Sequence, residues 1–151
     1  MSKSYKLLAI VLLVVSCNSG KKKNNQADYS IKTTETQSNP KLKASMERGK
    51  IVYDDLCITC HMVNGKGVPK IFPPLAQSDY LKDNQKESIK AIKNGLSGEI
   101  MVNGVTYNSV MAPLGLSDKE VADVMNYINN SWGNNYGKLL TVEDVTNVIK
   151  N

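Results

Sequence analysis

The run Cys57-Ile58-Thr59-Cys60-His61 puts two thiols and one imidazole within five residues, the densest grouping of chemically capable side chains in the chain. Two Cys three residues apart lie on one side of a helical turn. Each thiol can then add to one vinyl group of a haem while the adjacent His is aimed at the iron, and this is the spacing of c-type haem attachment. Other chemistries ask for residues that are missing or for a different setting. A structural zinc site takes four ligands, usually two separated pairs, and residues 41–151 hold no Cys or His beyond these three. A thioredoxin-like dithiol follows a strand in a βαβ pattern, whereas this motif follows a helical pattern and precedes a Gly/Pro-rich stretch. A disulfide in a four-residue loop would account for the two Cys but not for His61.

A low-spin haem also needs a sixth ligand, and His61 is the only His. That leaves Met, an open position, or an uncommon ligand such as Lys. Met1 is removed, Met46 and Met125 sit on helical stripes that read as core, and Met62 adjoins the proximal ligand and cannot reach the opposite face. Met101 and Met111 remain. Met111 is preferred because Ala112-Pro113 follows it, a stiff turn able to hold its side chain inward.

The elements that must position these residues are helical. Leu42, Met46, Gly49, Val52, Tyr53 and Leu56 recur at intervals of three and four, an amphipathic helix running into Cys57. Asn64 to Pro69 and Pro73-Pro74 are too rich in Gly and Pro for a regular element, so an irregular loop that wraps something is expected. Ser88 to Asn94 reads as a short helix stopped by Gly95. Gly98 to Gly115 reads as loop, or as a small hairpin around Asn103-Gly104. Ser117 and Glu120 have capping-box spacing and open a helix with Val121, Val124, Met125 and Ile128 on its apolar face, ending near Gly133. Thr141 starts a short terminal helix in the same style. The fold class is all-α.

The chain of 151 residues is 41% hydrophobic but 6% aromatic, so something other than large rings is expected to fill its centre. Its charge of +5 is unevenly placed: residues 41–151 hold 13 of the 19 basic and 12 of the 14 acidic residues, which leaves them nearly neutral. A globular part without a basic stripe argues against nucleic-acid binding.

Residues 1–16 read as a signal peptide: Lys3 and Lys6 precede the nine apolar residues Leu7 to Val15, too few to span a bilayer. Val14-Val15-Ser16-Cys17 resembles the lipobox of bacterial lipoproteins, which implies that Cys17 is lipidated and tethers the protein to a membrane. Residues 17–40 are polar and form a flexible linker, spanning roughly 25 Å as a coil of about 23 residues. The folded domain is expected at 41–151, on the periplasmic side.

From these residues outward, the chain resembles the class I cytochromes c over about 43–133. Gly49 and Tyr53 stand eight and four residues before Cys57, where that family places a Gly and an aromatic at its helix crossing, and Val124 and Tyr127 fall where the later helix supplies the partners. Pro73 and Leu75 match the family's Pro-x-Leu, whose Pro carbonyl accepts the His Nδ1 proton. Phe72 to Ala76, Val102-Asn103-Gly104, Tyr107-Asn108, Met111, Asn126-Tyr127, Ser131 to Gly133 and the tail Thr141–Ile149 resemble small cytochromes serving periplasmic dehydrogenases and reductases. Ala112 separates Met111 from Pro113, where many relatives have Pro directly after the Met.

The resemblance implies the two terminal helices of the domain crossing around one covalent haem c. It implies single-electron transfer between redox protein partners, with Cys57, Cys60, His61, Met111 and Pro73 as cofactor-binding residues and His61 and Met111 on the iron. The partners implied are a membrane or periplasmic donor and an oxidase, reductase or dehydrogenase, with the protein a carrier rather than an enzyme. A haem-based ligand-binding or peroxidase-like module with an open sixth site, and a haem-free exported thiol protein, are the rival readings.

Overall fold

Asn39 starts the first helix, its side chain accepting the Lys41 N–H at 3.0 Å while Pro40 occupies the first turn, where a missing N–H costs nothing. The computed structural model describes residues 39–151, so the signal peptide, Cys17 and the linker up to residue 38 lie outside the described residues. In chain order the elements are α1 (Pro40–Leu56), α2 (Ile58–His61), α3 (Asp79–Asp83), α4 (Gln85–Asn94), β1 (Ile100–Val102), β2 (Val105–Tyr107), α5 (Asp118–Asn129) and α6 (Val142–Lys150). The all-α expectation holds, with one antiparallel hairpin added to it.

α1 and α5 cross in direct backbone contact. A Cβ on Gly49 would lie 1.9 Å from the Asp123 carbonyl oxygen and 2.9 Å from the Val124 nitrogen, so only glycine permits this approach. Beside it the buried Asp123 carboxylate accepts from Ser45 Oγ at 2.6 Å, from Arg48 Nε and a terminal guanidinium nitrogen at 2.7 Å each, and from Lys119 Nζ at 2.6 Å. Asn126, also buried, donates to Ser45 Oγ and to the Leu140 carbonyl and accepts the Leu140 N–H, tying the tail to the crossing. Tyr53, Tyr127 and Trp132 then stack with ring centroids 5.0 to 5.5 Å apart.

Several details depart from the sequence reading. The buried stripe of α1 is Ser45, Gly49 and Tyr53, continued by Cys57, a regular step of four; Leu56 falls off it and is 45% exposed. Met46 is half-exposed rather than core, because the crossing is centred on Gly49 one side-chain column away, whereas Met125 is fully buried. Ser78 caps a helical turn, α3, that lacked enough periodicity to be seen, and α4 begins at Gln85 rather than Ser88. The 98–115 stretch contains the hairpin, pairing Ile100 with Tyr107 across a turn in which Asn103 and Gly104 take φ of 50° and 75°. α5 ends at Asn129, before Gly133, while both capping boxes form as read.

α6 packs Val145 into the core against α4 and α5, and Asp118 joins it there by pairing with Lys93 Nζ at 2.7 Å and accepting from Thr146 Oγ1 at 2.7 Å.

Burial pushes the Asp123 carboxyl up, but the hydrogen bonds from Arg48, Lys119 and Ser45 outweigh it and bring it down to about 2. An unfolded Asp titrates near ~3.9, so the stabilisation is complete above that value and is lost as pH falls toward 2. Urea unfolding of the wild type should therefore weaken between about pH 4 and 2, and Asp123→Asn should be less stable at neutral pH but flatter across that window.

Candidate functional site

Cys57 is the hinge between α1 and α2. Its N–H donates to the Tyr53 carbonyl at 2.9 Å and its own carbonyl accepts the His61 N–H at 2.9 Å, so the motif Cys57 to His61 continues the helical path as one turn. Met62 then takes a φ of 64° and reverses the chain, with its carbonyl held by the Tyr53 hydroxyl at 2.6 Å. Cys57 is buried; Cys60 and His61 are half-buried. His61 Nδ1 lies 3.0 Å from the Pro73 carbonyl oxygen. A carbonyl only accepts, so Nδ1 carries the proton and Nε2 keeps a free lone pair. Burial lowers the His61 pKa against the opposing pull of the Pro73 carbonyl, which favours the neutral ring that a metal requires.

Pro73 reaches this position over Gly67. The Gly67 φ is +62°, and a Cβ there would stand 2.2 Å from the Phe72 oxygen and 2.6 Å from the Pro73 oxygen. Gly67 N–H in turn donates to the His61 carbonyl at 3.0 Å.

Met111 comes from the loop that follows the hairpin. Its backbone exchanges both hydrogen bonds with Leu96, each at 2.8 Å, and Ser109 Oγ donates to the Ile71 carbonyl, so the loop is pinned at both flanks. Met111 and His61 line one apolar cleft, partly open to solvent, whose walls include Cys57, Leu75, Ile92, Val102 and Ile128. A second space shares His61, Pro73, Leu96, Ile100 and Met111 and runs past Cys60 and Val110. An apolar slot with two thiols, an imidazole and a thioether among the residues on its walls fits haem c in lining and donor chemistry. Met101, the other candidate, is 65% exposed on β1, because strand alternation turns Ile100 and Val102 inward and Met101 out.

The rival chemistries find little support in the same geometry. Burial, reinforced by Cys60, pushes the Cys57 thiol up to about 11, the reverse of a reactive redox thiol. Among the described residues no three His, Cys, Asp or Glu side chains gather as a structural zinc site requires.

A family model for cytochrome c matches residues 46–132, more than half of the chain. The chain belongs to the cytochrome c family. Its cofactor is accordingly a covalently bound haem c with its iron, and α1 crossing α5 is the class I arrangement. Similar proteins include cytochrome c-552 of Thermus thermophilus, 42% identical over 82 residues, 51% of this chain and 63% of that one. The cytochrome c subunit of the quinone alcohol dehydrogenase of Gluconobacter oxydans is 34% identical over 101 residues, 64% of this chain and 21% of the subunit. The cytochrome c subunit of gluconate 2-dehydrogenase from Pantoea cypripedii is 31% identical over 108 residues, 69% of this chain and 24% of the subunit. The chain thus spans less than two thirds of the length of each of these relatives. Among the described residues no helix is long and apolar enough to cross a membrane.

The Leu96 bridge and the pairing of Asp79 with Asn103, whose backbone N–H groups each donate to the other's side chain at 2.9 and 2.7 Å, had no signal in the sequence. Nor did Asn134, whose contacts are described below. Gly67→Ala should displace the Pro73 carbonyl from His61, lowering thermal stability by about 1–3 kcal/mol and shifting the visible spectrum of the haem-loaded protein; an unchanged spectrum would show that the Pro73 contact survives.

Proposed function

We propose that this cytochrome is a single-electron carrier in which Cys57 and Cys60 hold haem c through thioether bonds and His61 and Met111 ligate its iron. The observation that carries the reading is that His61 and Met111 line the same slot while the two thiols sit along its walls. When bound, haem c supplies a one-electron iron couple. The residues of the chain do the rest. Pro73 holds the Nδ1 proton of His61 and so aims Nε2 into the slot, a partner that also raises ligand basicity. The Met111 thioether would hold the iron together with His61, exclude small molecules, and favour a higher potential than a second nitrogen ligand would. Val102, Ile92 and Leu75 keep water from the inner part of the slot.

Electrons would enter and leave where the slot opens, beside Cys60 and Val110. Ile71 and Val110 are 51% and 74% exposed there, a surface for the small, transient interfaces of redox encounters. Lys66 and Lys70 on the adjacent loop offer a positive edge to an acidic partner. A quinone-linked dehydrogenase, an oxidase or a reductase is the class of partner, in line with the dehydrogenase subunits among the relatives. Export by the N-terminal signal and lipidation of Cys17 would place the domain on a tether at the periplasmic side of a membrane.

Oxidised and reduced spectra of the exported protein test the ligand set: a sharp reduced c-type band with the weak near-infrared sulfur-to-iron band of the oxidised form is expected. Met111→Ala should lose the sulfur band, lower the potential and bind cyanide or carbon monoxide. A wild type that already lacks the sulfur band and binds these ligands would make the module a ligand binder instead. Cys17→Ser should move the protein from the membrane to the soluble fraction, and persistence in the membrane fraction would reject the lipid anchor.

A further inference from the structure

We propose that Asn134 is a positioning residue for the iron ligand His61, acting through the Pro73–Gln77 segment. The inference rests on the ligation proposed above and adds the device that keeps the ligand aimed. Asn134 lies beyond the 46–132 stretch shared with the cytochrome c family and is only 6% exposed. Its side-chain nitrogen donates to the Leu75 carbonyl at 2.9 Å and to the Ile128 carbonyl at 2.8 Å, and its side-chain oxygen accepts the Gln77 N–H at 2.6 Å. Both donors and the acceptor of the amide are therefore used, and they join the end of α5 to the segment that follows Pro73.

That segment needs such an anchor. It belongs to no helix or strand, and Pro73 and Pro74 have no N–H to give, so its remaining polar groups must find partners elsewhere. Leu75 and Ala76 N–H both donate to the Gly65 carbonyl, at 2.7 and 2.8 Å, from one side. Asn134 holds Leu75 O and Gln77 N from the other. The turn that delivers Asn134 is built for the purpose: Trp132 and Gly133 have φ of 54° and 85°, and the Asn134 N–H returns to the Ser131 carbonyl at 2.8 Å. In the same turn the Trp132 ring lies over Gly65 and its indole N–H donates to the Val63 carbonyl at 3.2 Å. One turn thus grips both sides of the loop whose Pro73 carbonyl sets the His61 ring.

The sign of the effect separates positioning from general loosening. A weaker Nδ1–H···O contact makes the imidazole a poorer donor to the oxidised iron and raises the reduction potential. Water admitted to a loosened slot stabilises the more charged oxidised site and lowers it.

The experiment compares Asn134→Ala with Asn129→Ala in the haem-loaded full chain. Asn129 is a matched control: it is buried and exchanges two side-chain hydrogen bonds with Gln85 while making none with the 73–77 segment. Asn134→Ala should raise the potential and speed solvent exchange of the His61 Nδ1 proton, followed by NMR, by about tenfold or more. Asn129→Ala should lose stability and move neither. An unchanged or lower potential in Asn134→Ala, or equal shifts in both variants, overturns the proposal. If Asn134→Ala does not fold, the wild type decides: the Gln77 amide and the His61 Nδ1 proton should exchange through one common opening, and independent openings overturn the coupling. A wild type without the NMR signature of an iron-bound His overturns the ligation itself, and is seen before any variant is made.

Discussion

The approach of α1 to α5 at Gly49 is the contact on which the rest of the molecule depends. With no side chain at that position the backbones of the two helices meet at Asp123 and Val124. Tyr53, one turn on, reaches Tyr127 and Trp132, and Cys57, a further turn on, comes to rest at the wall of the cavity. The Asp123 cluster beside the crossing satisfies a charge that would otherwise be costly to bury, using three different donors from both helices. It makes the crossing specific as well as close.

The slot is a product of that frame, but none of its chemistry comes from one place. Cys57, Cys60 and His61 come from the end of α1 and the turn after it; Pro73 from an irregular strap; Met111 from a loop after a hairpin; Ile128 from α5. Pro73 and Met111 lie on irregular segments, held by local contacts rather than by membership of a helix: Gly67 leaves room for the Pro73 carbonyl, Met111 exchanges backbone hydrogen bonds with Leu96, and Leu75 and Gln77 are bonded by Asn134. Such pinning keeps the groups that line the slot at fixed positions relative to one another.

Beyond the shared family stretch, the tail contributes more than a terminus. α6 seals the outer face of α4 and α5 with Val145, and the turn preceding it supplies Asn134. Asn126 receives Leu140 in the same region, so the tail is joined to the helix crossing by side-chain hydrogen bonds as well as by apolar contact.

Much of this was legible in the order of residues. The attachment motif, the single His, the two capping boxes and the spacing of Gly49, Tyr53 and Cys57 follow from local rules of helix geometry and covalent chemistry, which act over a few residues and leave a readable pattern. The choice between Met101 and Met111 could be argued from Pro113, but what separates them is which face of a two-residue alternation points inward, and that depends on the packing of the hairpin. Leu56 illustrates the opposite error: it matched the apolar spacing, yet the stripe was centred by a glycine contact with a helix some seventy residues away. The pairings of Asn134 with Leu75 and Gln77, and of Asp79 with Asn103, left no trace in the sequence. A side-chain amide that satisfies a distant backbone has no period and no motif; only the folded chain brings donor and acceptor to the same point.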